Sequence, residues 1–217
     1  MSRSIDSPTC AHGHALLNPQ PCAQCETERL GHQAPTDRGH WAQTFTAGRF
    51  YFQDPRPEDI HILDVASGLS KNGRFTGQCI EWVSIAEHSV LVMRDLYAGG
   101  VTDPRALRQA LFHDASEAYT GDLPRPLKTI LPDFRRIEDR IMHAVALRFD
   151  FDWPGNLVLK EADDAAAMRE VVDNMTRGPL LDHWQSKQPA GLRLQFWTPA
   201  KAMTEFLREA KLCGVEF

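Results

Sequence analysis

His113 and Asp114 are adjacent residues whose side chains together could bind a metal ion. The imidazole offers a nitrogen ligand and the carboxylate a hard oxygen ligand, about 100° apart around a helix. Glu117 follows His113 by four residues, so a helix would place both side chains on the same face. Further candidates for the same chemistry lie elsewhere in the sequence: His88, Asp122 and Asp163.

Two imidazoles and two carboxylates on three predicted helices form a mixed nitrogen and oxygen ligand set: His88, His113, Asp114 and Asp163. Facing helices of a bundle can bring such side chains together in the core. The set suits Mn, Co, Fe, Zn or Ni, and the spacing does not choose among these metals. Each residue alone has an ordinary structural interpretation, as a hydrogen-bonded histidine or a solvated acid. The prediction therefore depends on the whole set.

The elements that must position these residues are mostly helices. Apolar residues recur at helical spacing, with capping residues at the ends of several segments, and predict helices over residues 60–69, 84–96, 104–119, 134–149, 157–175 and 199–212. Strand-like residues around Gly48 predict a short hairpin. Pro124 and Pro126 predict an extended loop, and residues 178–196 a second loop. The predicted fold class is all-α, a helical bundle with a small irregular or β-containing N-terminal edge.

The amino-acid composition argues against some classes of function. The chain has 217 residues, 42% of them hydrophobic, and a formal net charge of −5, which argues against broad nucleic-acid binding. No apolar run approaches the ~18 residues of a membrane-spanning helix. The polar start of the sequence lacks a signal-peptide core, so we expect a cytoplasmic protein. Residues 1–38 have little apolar periodicity and are predicted to be an extension of a domain over residues 39–217.

Three of the five cysteines fall within the first 25 residues. The Cys22 and Cys25 pair has the spacing of a zinc half-site. Two interpretations stay open: a tail with reduced thiols, or a structural zinc knuckle that would clip the extension or contact a protein or nucleic-acid partner. The knuckle ligands would be Cys10, His12, Cys22 and Cys25, with His14 as an alternative to His12.

Four segments in a fixed order resemble the HD-domain phosphohydrolases: residues 84–89 (SIAEHS), 112–117 (FHDASE), 120–128 (TGDLPRPLK) and 160–163 (KEAD). The closest similarity is to the branch that contains bacterial 5′-deoxynucleotidases and phage dATP triphosphohydrolases. Residues 41–75 and 197–207 also resemble phage-type members, so the resemblance covers roughly residues 40–217.

The resemblance implies His88, His113, Asp114 and Asp163 as metal ligands. Asp163 is preferred to its neighbour Asp164 because it matches the Lys-x-Ala-Asp pattern of the family. Glu117, already on the predicted face of His113, is implied to be catalytic, as an acid or base that positions water or moves a proton. Asp122 matches a second acidic position of the family, near the water or the sugar, although its residue type after Gly121 also suits a turn.

Cations would be needed to bind a phosphate. Arg125 and Lys128 flank the proline-containing segment beside the predicted site. Arg74 and Phe75 resemble an arginine–aromatic pair that contacts phosphate and packs against the sugar in deoxynucleotidases, where the aromatic residue is tryptophan. Phe75 has less reach toward a ribose 2′-hydroxyl than tryptophan. Without the resemblance, an exposed arginine beside a core phenylalanine would be the simpler interpretation.

The predicted function is metal-dependent hydrolysis of a deoxynucleotide at the α-phosphorus, releasing a deoxynucleoside with phosphate or triphosphate. Removal of dATP during phage-type remodelling of nucleotide pools is one activity in this class, and a phage-encoded protein would act in the host cytoplasm. The family resemblance also implies a homo-oligomer. Two alternatives are a hydrolase of another nucleotide, and a zinc-knuckle module on an HD scaffold that binds nucleic acid or protein.

Overall fold

A two-stranded hairpin and a series of α-helices make up residues 38–183 and 188–217, the part of the chain that the computed structural model describes. Strands β1 and β2 pair antiparallel, with Trp41 opposite Tyr51, as the sequence around Gly48 predicts. The elements are β1 (Trp41–Gln43), β2 (Arg49–Tyr51), α1 (Ile62–Lys71), α2 (Ile85–Ala98), α3 (Pro104–Phe112), α4 (Glu117–Thr120), α5 (Arg125–Ile130), α6 (Pro132–Phe149), α7 (Leu157–Asn174), α8 (Pro179–His183) and α9 (Pro199–Leu212).

The mainly helical fold class is confirmed, and the long helices begin at residues suited to capping. The Ser84 side chain accepts a hydrogen bond from the backbone of Glu87 at the start of α2. Asp103 and Thr198 cap α3 and α9 in the same way, each followed by a proline in the first helical turn. The Cys/His-rich extension, with the predicted zinc knuckle, lies outside the described residues. Within the described part, no helix combines the length and apolar character that crossing a bilayer requires.

The predicted helix over residues 104–119 was wrong in its extent. Helix α3 ends at Phe112, and residues 113–116 form a turn before the short helix α4. Hydrogen bonds of the i to i+3 type tighten this turn, from Ala115 N to Phe112 O and from Glu117 N to Asp114 O. His113 and Asp114 therefore lie in the turn that follows α3, and they project from the end of that helix.

Two segments predicted as loops contain short helices. Residues 122–124 run without helical structure, but α5 begins at Arg125. Pro126 lies in the first turn of α5, where a helix needs no backbone N–H donor, so the proline is compatible with the helix. Helix α8 interrupts the predicted loop over residues 178–196.

Helix α2 is central to the packing, because it contacts α1, α3, α7 and α9. Phe112, at the end of α3, is fully buried and stacks on Phe149 of α6 with ring centroids 4.3 Å apart. It also meets Phe206 of α9 edge to face at 5.4 Å. This aromatic cluster fixes the end of α3, and with it the backbone of His113.

A close approach between α1 and α4 positions Glu117. A Cβ atom added to Gly68 of α1 would lie 2.5 Å from the carbonyl oxygen of Ala118. Only glycine fits at this distance, so the backbone of α1 touches the helix that carries Glu117. The Asn72 side chain, at the end of α1, donates a hydrogen bond of 3.0 Å to the carbonyl oxygen of Glu117.

Glu87 connects α2 to the segment before α9. Its buried carboxylate accepts three backbone hydrogen bonds, from Gln195, Phe196 and Trp197, at 2.6, 3.0 and 2.8 Å. We expect Glu87→Ala to lower the free energy of unfolding by about 3 kcal/mol, because three donors would lose a charged acceptor. Thermal and urea denaturation would measure it, with exposed Glu161→Ala as the control. Equal stability of the two variants would contradict this role.

Candidate active site

Four side chains predicted as metal ligands meet at one place. His88 comes from α2, His113 and Asp114 from the turn after α3, and Asp163 from α7. Asp163 Oδ1 lies 3.2 Å from His88 Nε2 and 3.7 Å from His113 Nε2. Asp114 Oδ2 lies 3.2 Å from His113 Nε2 and 3.8 Å from His88 Nε2. Two nitrogen and two oxygen atoms thus face each other across a small space.

The spacing of these atoms fits a divalent metal ion. Ligand atoms about 2.1 Å from a tetrahedral or octahedral ion lie about 3.0–3.4 Å from one another. The four distances at this site come within a few tenths of an ångström of that range. One ligand atom each from His88, His113 and Asp163 lie within 4.8 Å of one another. His113 Nε2 is also buried without a hydrogen-bond partner, as expected of an atom reserved for a ligand.

In each imidazole, the ring nitrogen that faces away from the cluster, Nδ1, already has a hydrogen-bond partner. His113 Nδ1 lies 2.8 Å from the carbonyl oxygen of Ala110, which can only accept, so Nδ1 carries the proton. His88 Nδ1 lies 2.8 Å from a carboxylate oxygen of Glu170 and donates in the same way. In a neutral ring the proton on Nδ1 leaves the Nε2 lone pair free for a metal. Both histidines are therefore oriented as ligands by their outer partners.

Charge at the cluster favours a cation. Burial lowers the pKa of His113, but the nearby carboxylates of Asp114 and Asp163 outweigh it and raise that pKa well above its usual value. Burial likewise opposes ionisation of Asp163, yet the neighbouring imidazoles of His113 and His88 hold its pKa well below the usual value. Carboxylates that favour a proton on the imidazoles would also favour a metal ion between them.

Glu117 lies beside the cluster and is almost fully buried. Burial and the charges of Asp114 and Asp122 raise the pKa of Glu117 well above its usual value, although Lys128 opposes the shift. Its Oε1 accepts a hydrogen bond of 2.6 Å from Lys128 Nζ, and its Oε2 is buried without a partner. A carboxyl group with a raised pKa and one unpaired oxygen is suited to accepting a proton.

Lys128 is shared between two carboxylates. Its Nζ donates to Glu117 and, at 2.8 Å, to Glu138 of α6. Although burial lowers the pKa of Lys128, these two neighbours raise it above the usual value, so the amine stays charged. Lys128 was predicted as a phosphate contact, which stays a prediction. The contact that the structure shows is with Glu117.

Asp122 lies in the extended segment after α4. Burial raises its pKa, the charge of Arg74 lowers it, and the charge of Asp114 raises it again. These influences place Asp122 in the electrostatic surroundings of the cluster, and its position near the water or the sugar stays a prediction. The Arg125 guanidinium is largely exposed, with nitrogens 3.8 Å from Asp163 and 3.7 Å from Asp164. Asp164 itself pairs with Lys160, whereas Asp163 faces the histidines.

Arg74 is held in an unusual turn. Its backbone N–H donates to the carbonyl of Val83, just before α2, and the next two residues, Phe75 and Thr76, adopt left-handed backbone angles with φ of 56° and 52°. Such angles are uncommon for residues with a β-carbon and tend to occur at functional sites. The Arg74 guanidinium lies 5.4 Å from the Phe75 ring centre, and its Nη1 lies 3.5 Å from Asp114 Oδ2. Arg74 is thus a largely buried cation at the cluster.

Two acids of the site were missed by the sequence analysis, the partly buried Glu138 and the buried Glu170. Glu170 is fully buried between Arg74 and His88. It follows Asp163 by seven residues, two turns along the same face of α7, and that spacing was the available signal. The side chain of Asn174, one turn further along α7, makes two hydrogen bonds of 2.7 Å with the backbone of Glu81.

The model of the family "5′-deoxynucleotidase YfbR-like" matches residues 78–150. An uncharacterized protein of Rhodobacter capsulatus, RCAP_rcc00048, is 35% identical over 141 residues, which span 60% of this chain and 71% of that protein. The chain belongs to the YfbR-like HD-domain family. The matched segment of this HD-domain protein includes His88, His113, Asp114 and Glu117, whereas Asp163 and the arginine turn lie outside it.

Other relatives match over shorter spans. The uncharacterized protein YfdR of Escherichia coli K12 is 38% identical over 99 residues, 46% of this chain and 52% of that protein. The 5′-deoxynucleotidase of Vibrio cholerae is 28% identical over 116 residues, 44% of this chain and 60% of that enzyme. The chain thus spans about half to two thirds of these two relatives. A solved structure, the cyanophage S-2L HD phosphohydrolase bound to dA and one catalytic Zn²⁺ ion, has 23% identity and a TM-score of 0.45, covering 68% of this chain and 95% of that one.

Proposed function

We propose that this HD-domain protein hydrolyses the phosphate ester of a deoxynucleotide with the help of a divalent metal ion. The observation that carries the proposal is the cluster of His88, His113, Asp114 and Asp163, with both histidine Nε2 atoms turned inward and Glu117 beside them. Membership of the deoxynucleotidase-like family supports the substrate class. The products would be a deoxynucleoside and either phosphate or triphosphate, with dATP removal among the candidate activities.

Each residue group has a role in this reaction. The four clustered side chains would hold the ion, which when bound would lower the pKa of a water molecule and offset phosphoryl charge. Glu117 accepts the proton that the attacking water loses as its oxygen bonds to phosphorus, and that proton passes to the departing 5′-oxygen as the ester P–O bond breaks. Arg74 and Arg125, with Lys128 as a further candidate, neutralise the phosphate oxygens. Phe75 would pack against the sugar, and Asp122 would lie near the water or the sugar.

A substrate screen tests the proposal. Purified protein would be incubated with all deoxynucleoside monophosphates and triphosphates and the matching ribonucleotides, each with Mn²⁺, Co²⁺, Zn²⁺ or Mg²⁺. Chromatography would detect nucleoside, phosphate and triphosphate. We expect nucleoside release from at least one deoxynucleotide, abolished by a chelator. Turnover of a signalling nucleotide alone would instead favour the alternative nucleotide hydrolase.

Lys128→Met tests whether Lys128 acts on substrate or through Glu117. Because its amine contacts Glu117, we expect kcat to fall about 10-fold, with any rise in KM reporting a phosphate contact as well. Lys201→Met is the matched control, since Lys201 makes the same 2.6 Å contact with a buried glutamate, Glu205, on α9. A raised KM with unchanged kcat would make Lys128 a phosphate contact only.

Two further predictions remain proposals: the division of the chain at residue 38, and a homo-oligomer. The division of the chain at residue 38, with a zinc knuckle before it, is compatible with a catalytic domain that holds every proposed site residue beyond that point. A homo-oligomer is expected from the family resemblance. A binding module on an inactive scaffold is disfavoured by the cluster of His88, His113, Asp114 and Asp163 and by Glu117 with its raised pKa.

A further inference from the structure

Glu170 accepts hydrogen bonds from both a clustered histidine, His88, and the buried arginine, Arg74. Its Oε1 accepts the hydrogen bond of His88 Nδ1 at 2.8 Å. Its Oε2 accepts two hydrogen bonds from Arg74, from Nε at 3.1 Å and from Nη2 at 3.0 Å. The carboxylate is fully buried, so these bonds are made without competition from water. Each oxygen of the Glu170 carboxylate therefore holds a different residue: Oε1 holds His88 and Oε2 holds Arg74.

Both contacts orient a group toward the cluster. The hydrogen bond to Nδ1 fixes the His88 tautomer, so that Nε2 points at Asp163 Oδ1, 3.2 Å away. The bonds to Nε and Nη2 leave the third nitrogen of the Arg74 guanidinium, Nη1, on the side of Asp114. A planar guanidinium held at two of its nitrogens cannot turn freely, so the direction of the third is set. Glu170 thereby aims a metal ligand and a cation at one point.

Glu170 is a fully buried acid whose two oxygens are both hydrogen-bonded. An ionised carboxylate in the protein interior is costly unless it is paired and fully hydrogen-bonded. Arg74 supplies the opposite charge and His88 a further donor, so the buried carboxylate of Glu170 is both paired and hydrogen-bonded. The pairing is reciprocal, because Arg74 is itself largely buried and needs the carboxylate.

We propose that Glu170 is a positioning residue that couples the metal site to the phosphate-binding arginine, so that one carboxylate sets the affinity for both the ion and the nucleotide. The metal half of this inference depends only on His88. The phosphate half rests on the proposed function, in which Arg74 contacts the nucleotide. Such coupling would keep the ion and the phosphate in a fixed relation, which hydrolysis requires.

Glu170→Gln tests the metal half directly. The amide keeps the shape of the side chain, but it has one acceptor oxygen for two donor groups, and it lacks the charge. We expect the Kd for Mn²⁺ or Co²⁺, measured by calorimetry on purified full-length protein without nucleotide, to rise about 10- to 100-fold. Glu205→Gln is the matched control, because Glu205 is a buried glutamate bonded to Arg94 and Lys201 away from the cluster. It should change the Kd less than about three-fold.

Glu170→Asp covers the case in which the glutamine variant does not fold. It keeps the buried charge, but its side chain is shorter by one methylene group, which draws the carboxylate away from His88 Nδ1, so metal affinity should again fall. Wild-type affinity for Mn²⁺ or Co²⁺ in either folded variant would overturn the metal half.

A double-mutant cycle tests the phosphate half. Arg74→Lys should raise KM in the wild-type background, and it should raise KM much less when Glu170 is already glutamine, because the two residues act as one unit. Additive effects on KM would overturn the coupling. If the wild-type protein hydrolyses no deoxynucleotide, the proposed function fails, whereas the metal titrations still decide whether Glu170 positions His88.

Discussion

Replacing His113 by alanine is expected to abolish metal-dependent hydrolysis while leaving the helices intact. His113 Nε2 is buried without a hydrogen-bond partner and lies 3.2 Å from Asp114 Oδ2, so its loss removes one of the four proposed ligand atoms. Loss of one ligand should weaken metal binding by about two orders of magnitude or more. Asp114→Ala should act in the same way, because it removes the carboxylate that faces both histidines.

The measurements are metal content, metal affinity and turnover at saturating metal, with circular dichroism to confirm the fold. His143→Ala is the matched control, since His143 is an exposed histidine on α6 whose partner is Asp139. Full activity in purified His113→Ala would refute the assigned site. Activity restored by a large excess of metal would instead show that His113 only strengthens binding.

Local sequence signals were sufficient for most of the helix boundaries. Ser84, Asp103 and Thr198 cap helices because the chemistry of a cap involves only a few neighbouring residues. The end of α3 was not predictable in this way. Helical periodicity continues past Phe112, and the chain departs from it where a tight turn follows the buried aromatic cluster. Tertiary packing thus overrides a pattern that the sequence carries through residue 119.

The site was predictable where the residue types are specific and not where they are common. A histidine next to an aspartate suggests a ligand pair, and the ordered motifs of the family added His88 and Asp163. Glu170 is a glutamate in a helix, a position that is usually exposed. Its contact with His88 joins residues 82 apart in sequence and exists only because α2 packs on α7. The seven-residue spacing from Asp163 can identify Glu170, but only once Asp163 is known to face inward.

A substitution at Glu117 is expected to impair catalysis without impairing metal binding. Its carboxylate contacts Lys128 and neighbours the cluster, but its atoms are not among the four that face each other there. Glu117→Gln is therefore expected to retain metal and nucleotide binding and to lose kcat by about 10²- to 10⁴-fold, the range for a positioned acid or base.

Single-turnover kinetics and metal titration on the same Glu117→Gln preparation would make the distinction. Glu205→Gln is the matched control, because Glu205 also accepts a 2.6 Å hydrogen bond from a lysine and is buried to a similar degree. Loss of the ion from Glu117→Gln would make Glu117 a ligand. Turnover within a few-fold of wild type would remove Glu117 from the mechanism, and Asp122 would become the remaining acid near the reacting water. The raised pKa of Glu117 favours the expected loss of kcat with the metal retained, because the burial and neighbouring charges that raise it make this carboxylate a better proton acceptor than an ordinary glutamate.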